Sequence, residues 1–257
     1  MTDQIKYTSK LIDTSVLVIG GTSGIGFAVA EACLEHGCHV TISSSTPQRI
    51  DSALSRLREA YPSRRDRLSA HRCDLSGDDL EAQLVKLLED AGTVDHIVFT
   101  AGDKLSVEPI SEVTLAGIAA AGRLRFVAPL LLAKHAPKHL TPGHTSSLTF
   151  TNGIIAERPI PNWTVVAGYA AALPAVVRNL AVDLKPLRVN CVTPGPVKTE
   201  MWGTPEEREK METPYPGECL TGVITGPENV AEAYLYAMKD ANLTGQTVLT
   251  DGGITIT

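Results

Sequence analysis

The sequence predicts a single α/β domain over residues 1–257, built as a doubly wound parallel sheet flanked by helices. The first indication is an apolar segment at 16–19 that runs into a glycine-rich turn and then into a helix. The second is that strand-like and helix-like segments alternate along the rest of the chain. No linker, repeat or change of composition divides the 257 residues. This pattern is Rossmann-like, and ligands of such sheets bind at the carboxyl ends of the strands.

The turn after the first strand has the composition of a dinucleotide-phosphate cradle. Gly20 and Gly21 permit a sharp turn, Gly24 permits close approach of a cofactor, and Gly26 lets the helix pack on the sheet. The N–H groups at the start of that helix then face a pyrophosphate. A tight turn without a ligand is the alternative interpretation. The cofactor contacts expected from this turn are Gly20, Thr22, Ser23 and Ile25.

The end of the second strand, at 39–45, selects between the two nicotinamide cofactors. An acidic residue there would bind the adenosine ribose hydroxyls and repel a 2′-phosphate. This chain instead has Ser43, Ser44 and Ser45, with Arg49 nearby, and these residues can accept a phosphate. The sequence therefore favours NADP(H) over NAD(H). Capping of the next helix is a compatible alternative role for the serines.

The third and fourth strands, at 68–73 and 96–99, lead into further expected cofactor contacts. Asp74 and Leu75 follow the third strand, where the adenine edge would lie. Small residues follow the fourth strand and let the cofactor pass closely over the sheet. They are Thr100, Ala101 and Gly102.

The remaining segments complete the sheet and a predicted cover. A fifth strand at 146–151 precedes a long helix that ends near Leu184, and a sixth strand spans 188–192. Residues 196–220, rich in Pro and Glu from 204 to 216, are predicted to form a mobile substrate cover. A helix around 230–238 and a last strand at 247–253 follow. The loop after the sixth strand supplies the expected cofactor contacts Pro194, Gly195, Val197 and Thr199.

Composition limits the classes of partner. A net charge of −6 argues against a general nucleic-acid or anionic-membrane surface. No apolar run approaches the length expected of a membrane span and the N-terminus shows no signal-peptide core, so we expect a cytoplasmic protein acting on a small molecule. The five cysteines lack metal or redox spacing and are interpreted as reduced packing residues. No metal site is predicted, because Pro137 separates His135 from His139 and no third ligand is evident.

Five segments in family order and spacing make the chain resemble the short-chain dehydrogenase/reductase family over essentially its full length. They are the turn at 20–26, Asp74, the segment 100–102, the segment 188–195, and 251–253. The resemblance implies an NADP(H)-dependent oxidoreductase. It also implies a homodimer or homotetramer, because the family commonly assembles through its long helices and C-terminal strand.

The catalytic relay of the family does not map onto this chain. That relay consists of an Asn, a Ser and a Tyr-x-x-x-Lys pair. An alignment without gaps places Val166 at the tyrosine and Ala170 at the lysine, whereas a three-residue slip places Tyr169 and Leu173 there. The lysine is missing in either register.

The other two relay positions are also altered, since Gly153 falls at the serine and Arg123 falls near the asparagine. A positioned general acid contributes roughly 10²–10⁴-fold to a rate. Its loss leaves three outcomes: a different proton donor, a substrate such as an iminium that needs none, or no redox chemistry.

The segment that replaces the relay, 152–166, contains a stiff turn built by Pro159, Pro161 and Trp163. Its Pro-Ile-Pro-Asn-Trp stretch is similar to the Pro-Asp-Pro-Asn-Trp motif of the fungal reductase/Diels–Alderase enzymes of the malbrancheamide and paraherquamide type. The resemblance implies hydride transfer to an iminium of a bulky heterocyclic metabolite, followed by guided cyclisation. Ile160 stands where those enzymes have the aspartate.

Three residues are predicted to act on the substrate, each with a structural alternative. Arg125 polarises a carbonyl or is a surface residue, Trp163 stacks on substrate or packs, and Asn152 bonds substrate or nicotinamide or satisfies the turn. Two functional alternatives also stay open. One is an ordinary carbonyl/alcohol oxidoreductase that uses other residues, and the other is an inactive NADP(H)-sensing or scaffold protein.

Overall fold

The computed structural model describes residues 4–103, 105, 107–212 and 217–257. It contains a seven-stranded sheet in the order β3-β2-β1-β4-β5-β6-β7, in which all paired strands are parallel. The strands are β1 (Ser15–Ile19), β2 (His39–Ser44), β3 (Leu68–Arg72), β4 (His96–Phe99), β5 (Ser147–Thr151), β6 (Arg188–Pro194) and β7 (Thr247–Thr250). The helices are α1 (Gly24–Glu35), α2 (Pro47–Ala60), α3 (Leu80–Ala91), α4 (Leu115–Gly122), α5 (Ala128–His135), α6 (Thr164–Asp183), α7 (Pro205–Glu212) and α8 (Pro227–Lys239).

The order of strands reverses beside β1, which pairs with β2 on one side and β4 on the other. From β1, the strands β2 and β3 are added on one side of the sheet, and the strands from β4 to β7 are added on the other side. The loops after β1 and β4 therefore diverge and leave a crevice at the carboxyl edge of the sheet. This topology confirms the doubly wound sheet that the sequence predicts.

Alternate residues of β1 face opposite helix layers, as the period of a strand requires. Val16 and Val18 belong to a core that contains residues of α1 and α8. Leu17 and Ile19 belong to a second core that contains residues of α3, α5 and α6. Both faces of the sheet are thus covered, which is typical of parallel sheets.

Two helical stretches revise the expectation that no apolar segment reaches the length of a membrane span. The continuous stretch Leu115–Lys138 and helix Thr164–Asp183 are long and apolar enough by length and composition alone. Both stretches pack on the sheet through core residues such as Leu132, Leu173 and Val177. The cytoplasmic location stays a prediction.

All five cysteines are free and buried, which confirms their predicted packing role. Among the residues that the structure describes, no group of three or more His, Cys, Asp or Glu side chains is arranged to hold a metal ion. The Nε2 atom of His135 instead lies 2.8 Å from a carboxylate oxygen of Glu81.

His96 is a buried imidazole at the start of β4. Its side chain is enclosed, and its Nδ1 atom lies 2.9 Å from the hydroxyl of Ser147 on the neighbouring strand. Burial lowers the pKa of His96 to about 4, and the nearby Arg188 charge adds to this effect while Asp95 opposes it. His96 is therefore neutral in the folded protein near pH 7.

We expect the free energy of unfolding to fall by about 2 kcal/mol between pH 7 and pH 5 because of His96. In this range the unfolded histidine, with its ordinary pKa of 6.5, gains a proton that the folded residue does not accept. Urea denaturation at both pH values measures the change. His96→Gln should remove this part of the pH dependence and His144→Gln, at an exposed position, should keep it. An unchanged dependence in His96→Gln would contradict the assignment.

Candidate cofactor and substrate site

The glycine-rich turn is held against the end of β4 by backbone packing. Gly20 has a φ of +90°, and a Cβ atom there would lie 2.6 Å from the backbone nitrogen of Ala101. A Cβ atom on Gly26 would collide with the carbonyl oxygen of Gly20 and the hydroxyl of Thr100. Only glycine fits these two positions, so α1 begins close to the sheet. Ser23 is the N-cap of α1 and is exposed, and Ile25 packs partly into the core beneath.

The serines at the end of β2 differ in accessibility. The side chain of Ser43 is 1% exposed and its hydroxyl has no hydrogen-bond partner, while its carbonyl accepts the N–H groups of Gly20 and Gly21. The hydroxyl of Ser44 accepts a hydrogen bond of 3.0 Å from Thr22. Only Ser45 remains partly open to solvent. The prediction that the Ser43 hydroxyl accepts a phosphate therefore does not fit this geometry, because the sheet and the turn enclose it.

Beyond β2, the expected adenine contacts sit on a tight turn. The carboxylate of Asp74 accepts hydrogen bonds from the hydroxyl and the backbone N–H of Ser76, which lower the pKa of Asp74. Leu75 is buried below it. Arg49, in the first turn of α2, is exposed.

The loop after β6 folds back onto the start of α1. Gly195 donates to the carbonyl of Thr250. Thr199 lies so near Gly24 that a Cβ atom on that glycine would stand 3.3 Å from it. The neighbouring Glu200 accepts a hydrogen bond of 3.0 Å from the N–H of Gly24. A carboxylate thus occupies one of the N–H groups that the sequence assigns to a pyrophosphate. Pro194, the last residue of β6, and Val197, within the loop, are both buried.

The segment after β5 begins with Asn152, which is bound to the protein's own backbone. Its N–H donates to the carbonyl of Val192, and its side-chain amide donates 3.0 Å to the carbonyl of Ala170. The amide thus links the end of β5 to α6. Asn152 thus has the structural role that its sequence position also allows, satisfying the backbone around the turn.

An apolar cluster occupies the first turns of α6, where the gapless alignment expects the family relay; we term it the α6 cluster. Val166 and Ala170 are 3% and 7% exposed and pack with Ile155. Trp163 is the N-cap of α6, and the preceding Asn162 has a φ of +69°, a conformation that asparagine tolerates in tight turns. The partly buried members of the cluster are Leu105, Ala156, Ile160, Trp163 and Ala167.

Tyr169 lies on a different face of α6 from this cluster. Its hydroxyl donates 3.0 Å to the carbonyl of Ile118 on α4, and its ring is 5.9 Å from that of Phe126. The ring also lies directly against Gly122. In the gapless alignment, both expected relay positions, Val166 and Ala170, are therefore buried and apolar. In the slipped alignment, the tyrosine position is occupied by Tyr169, whose hydroxyl is already bonded to α4.

Arg125 lies in a π-helical turn, Arg123–Val127, between α4 and α5. Its guanidinium forms an ion pair with the carboxylate of Asp103 and donates to two backbone carbonyls. Asp103 directly follows the small-residue segment after β4, so Arg125 stands at the edge of the cofactor crevice. The sequence analysis does not identify Asp103. Its position could have indicated it, since it is a charged residue directly after the segment 100–102.

The predicted cover contains two short helical segments, Glu200–Trp202 and α7. Trp202 packs against a small apolar cluster that includes Ile154 and Cys219. Arg158 forms an ion pair of 2.9 Å with Glu218, which joins the cover to the segment after β5. Residues 213–216 lie outside the described residues, and the mobility of the cover stays a prediction.

Comparison with known proteins decides the family. The model of the SDR-like Rossmann domain matches residues 7–257. The chain belongs to the short-chain dehydrogenase/reductase family. It is 43% identical to the short-chain dehydrogenase/reductase fsr5 of Gibberella fujikuroi, over 96% of this chain and 97% of that protein.

Solved structures of the family agree with this assignment. The structure of the MalC reductase/Diels–Alderase from Malbranchea aurantiaca superposes with a TM-score of 0.91 at 40% identity, covering 98% of this chain and 100% of that one. A small-chain dehydrogenase solved in complex with NADPH gives a TM-score of 0.78 at 26% identity, covering 95% of this chain and 100% of that one. The predicted fold and membership in this oxidoreductase family are confirmed.

We expect Glu200→Gln to tighten the binding of NADP+ by roughly two- to fivefold, the effect of one charge at a helix terminus. The carboxylate of Glu200 competes with a pyrophosphate for the N–H of Gly24, whereas a neutral amide competes less and does not repel phosphate. Isothermal titration calorimetry measures the dissociation constant. Glu207→Gln is the control, because Glu207 bonds only locally to Thr204. Unchanged or weaker binding in Glu200→Gln would argue against the competition.

Proposed function

We propose that this protein is an NADP(H)-dependent reductase that transfers hydride to an iminium carbon of a bulky, largely apolar heterocycle. The observation that carries the proposal is the α6 cluster, in which buried apolar side chains, Val166 and Ala170, stand at the positions where the gapless alignment expects the tyrosine and lysine of the family relay. Reduction of a carbonyl places charge on oxygen and needs a proton. Reduction of an iminium neutralises a charge that is already present, so it needs no proton donor at this position.

The cofactor of the site is NADP(H). The cradle at Gly20 and Gly26, the partly open Ser45 and the absence of an acidic residue at the end of β2 support this choice. The small-chain dehydrogenase solved with NADPH shares the fold. When bound, NADPH supplies the hydride. The small residues Thr100, Ala101 and Gly102 would let the cofactor pass closely over the end of β4.

Three groups would position the substrate. The indole of Trp163, held by the turn at 159–163 and by the α6 cluster, offers a rigid aromatic face. Arg125 lies at the edge of the crevice, where its guanidinium is paired with the carboxylate of Asp103. It would polarise a substrate carbonyl only after that ion pair breaks. Asn152 fixes the end of β5 to α6 and so keeps the cluster in place.

A second activity, control of ring closure, rests on likeness to MalC, which is described as a reductase/Diels–Alderase. A rigid apolar wall can hold a folded reactant, and good orientation alone can supply several kcal/mol. Ile160, within the α6 cluster, places no carboxylate beside the substrate. Catalysis here would depend mainly on positioning.

Incubation with NADPH and a cyclic iminium dipeptide of the indole-alkaloid type tests this proposal. We expect loss of nicotinamide absorbance in proportion to reduced product, and an excess of one stereoisomer. Trp163→Ala should lower turnover by roughly 10-fold or more and reduce stereoselectivity, because a misplaced substrate loses much of its orientation. Product without loss of NADPH would indicate cyclisation alone.

Tyr169→Phe is the matched control, because the Tyr169 hydroxyl bonds the carbonyl of Ile118 outside the α6 cluster. It should leave iminium reduction unchanged. Rapid turnover of simple ketones that Tyr169→Phe abolishes would instead establish ordinary carbonyl chemistry. Cofactor binding without turnover of either substrate class would favour a sensor or scaffold.

We further infer that the chain forms a homodimer or homotetramer through the outer faces of α4, α5 and α6. Apolar side chains are exposed there: Leu115 is 85% and Val182 is 65% exposed, and Val127 and Leu130 are also open. The exposed small residue Ala175 on α6 would let a second copy approach closely. A second copy of this face would cover the apolar surface of both chains.

Light scattering should give a mass of at least twice 27.4 kDa. Ala175→Arg places a charge in the proposed interface and should shift the mass toward the single chain. Leu220→Glu alters an exposed apolar residue elsewhere and should not. A single-chain mass for the unmodified protein would exclude the assembly.

A further inference from the structure

Arg72, at the end of β3, lies beside two of the segments expected to hold the cofactor. It pairs in register with Ser44 of β2. Its Nε atom donates 2.9 Å to the carbonyl of Ser45, and its Nη2 atom lies 3.6 Å from a carboxylate oxygen of Asp74. The guanidinium therefore bridges the carboxyl ends of β2 and β3, although the two segments are distant in sequence.

The guanidinium keeps donors available for a ligand. Arginine has five N–H donors, and the structure engages the one on Nε. The distance to Asp74 is longer than a hydrogen bond. The side chain is 59% exposed, so its remaining donors reach solvent at this edge of the sheet. Asp74 directs its other oxygen to Ser76.

This position matches the chemistry of an adenosine 2′-phosphate. In doubly wound sheets the adenosine ribose lies beyond the end of β2, where an acidic residue selects NAD(H) and an arginine accommodates the 2′-phosphate. A guanidinium binds phosphate oxygens in a bidentate manner. Ser45, which directly follows β2, is the accessible serine of this segment, and its carbonyl accepts a hydrogen bond from Arg72.

We propose that Arg72 binds the 2′-phosphate and makes the protein select NADP(H) over NAD(H), with the Ser45 carbonyl orienting its guanidinium. This assignment rests on the proposed NADP(H) dependence. Arg49, the cation that the sequence suggests, is exposed in the first turn of α2, whereas Arg72 is bonded to the end of β2. An arginine already held beside β2 loses less conformational freedom on binding than one that is free.

Calorimetric titration with NADP+, NAD+ and adenosine 2′,5′-bisphosphate tests this assignment. Arg72→Leu should weaken NADP+ and the bisphosphate by roughly 10- to 100-fold, the range for hydrogen bonds to charged groups. Binding of NAD+, which lacks the 2′-phosphate, should stay within about twofold of the unmodified protein. Arg72→Lys should restore part of the loss, and Arg49→Leu should have a smaller effect on NADP+.

The outcomes separate this inference from the proposed function. An equal loss for NADP+ and NAD+ in Arg72→Leu would indicate a purely structural role and overturn the assignment. The assignment also fails if Arg72→Leu binds NADP+ normally while Arg49→Leu does not. If the unmodified protein binds none of the three nucleotides, the cofactor proposal itself fails and the role of Arg72 falls with it. Circular dichroism verifies that each variant is folded.

Discussion

The close approach of the first turn to the end of β4 is the constraint on which the rest of the site depends. Because no side chain stands at Gly20 or Gly26, the backbone of the turn rests on Thr100 and Ala101, and α1 starts directly over the crevice. The N–H groups of α1 then become available to an anion. The loop after β6 closes onto the same helix start through Thr199 and Glu200. Three segments that are far apart in sequence, 20–26, 100–101 and 199–200, therefore meet at one edge of the sheet.

The proposed substrate side is organised by a different principle, the apolar packing of the α6 cluster. A tyrosine and a lysine on successive turns of α6 would form a hydrogen-bonding pair facing the nicotinamide. Val166 and Ala170 instead continue the apolar surface that begins at Trp163. In the function proposed above, this exchange removes an acid from the site and adds a rigid apolar wall. A site of this kind favours substrates that bring their own charge or that react by being held in one conformation.

Two charged side chains around the crevice are paired with other charged side chains, because the α6 cluster is apolar and offers them no partner. Arg125 is paired with Asp103, and Arg158 with Glu218. Both pairs join segments that border the site, so they hold its walls together. Exposed ion pairs contribute little stability individually. Their importance here is that binding of a charged ligand would have to rearrange them.

The sequence by itself determined the doubly wound sheet, the glycine-rich turn after β1 and the membership in the family. These features are local, since they depend on the period of apolar residues, on glycine spacing and on which residues are present at all. Only the tertiary structure decided that Tyr169 faces α4, that the Ser43 hydroxyl is enclosed, that Glu200 meets Gly24 and that Arg72 reaches Ser45. Each of these depends on strand pairing or helix packing between distant segments. A one-dimensional pattern specifies which face of an element is apolar, but it does not specify which polar groups of other elements come to lie beside it.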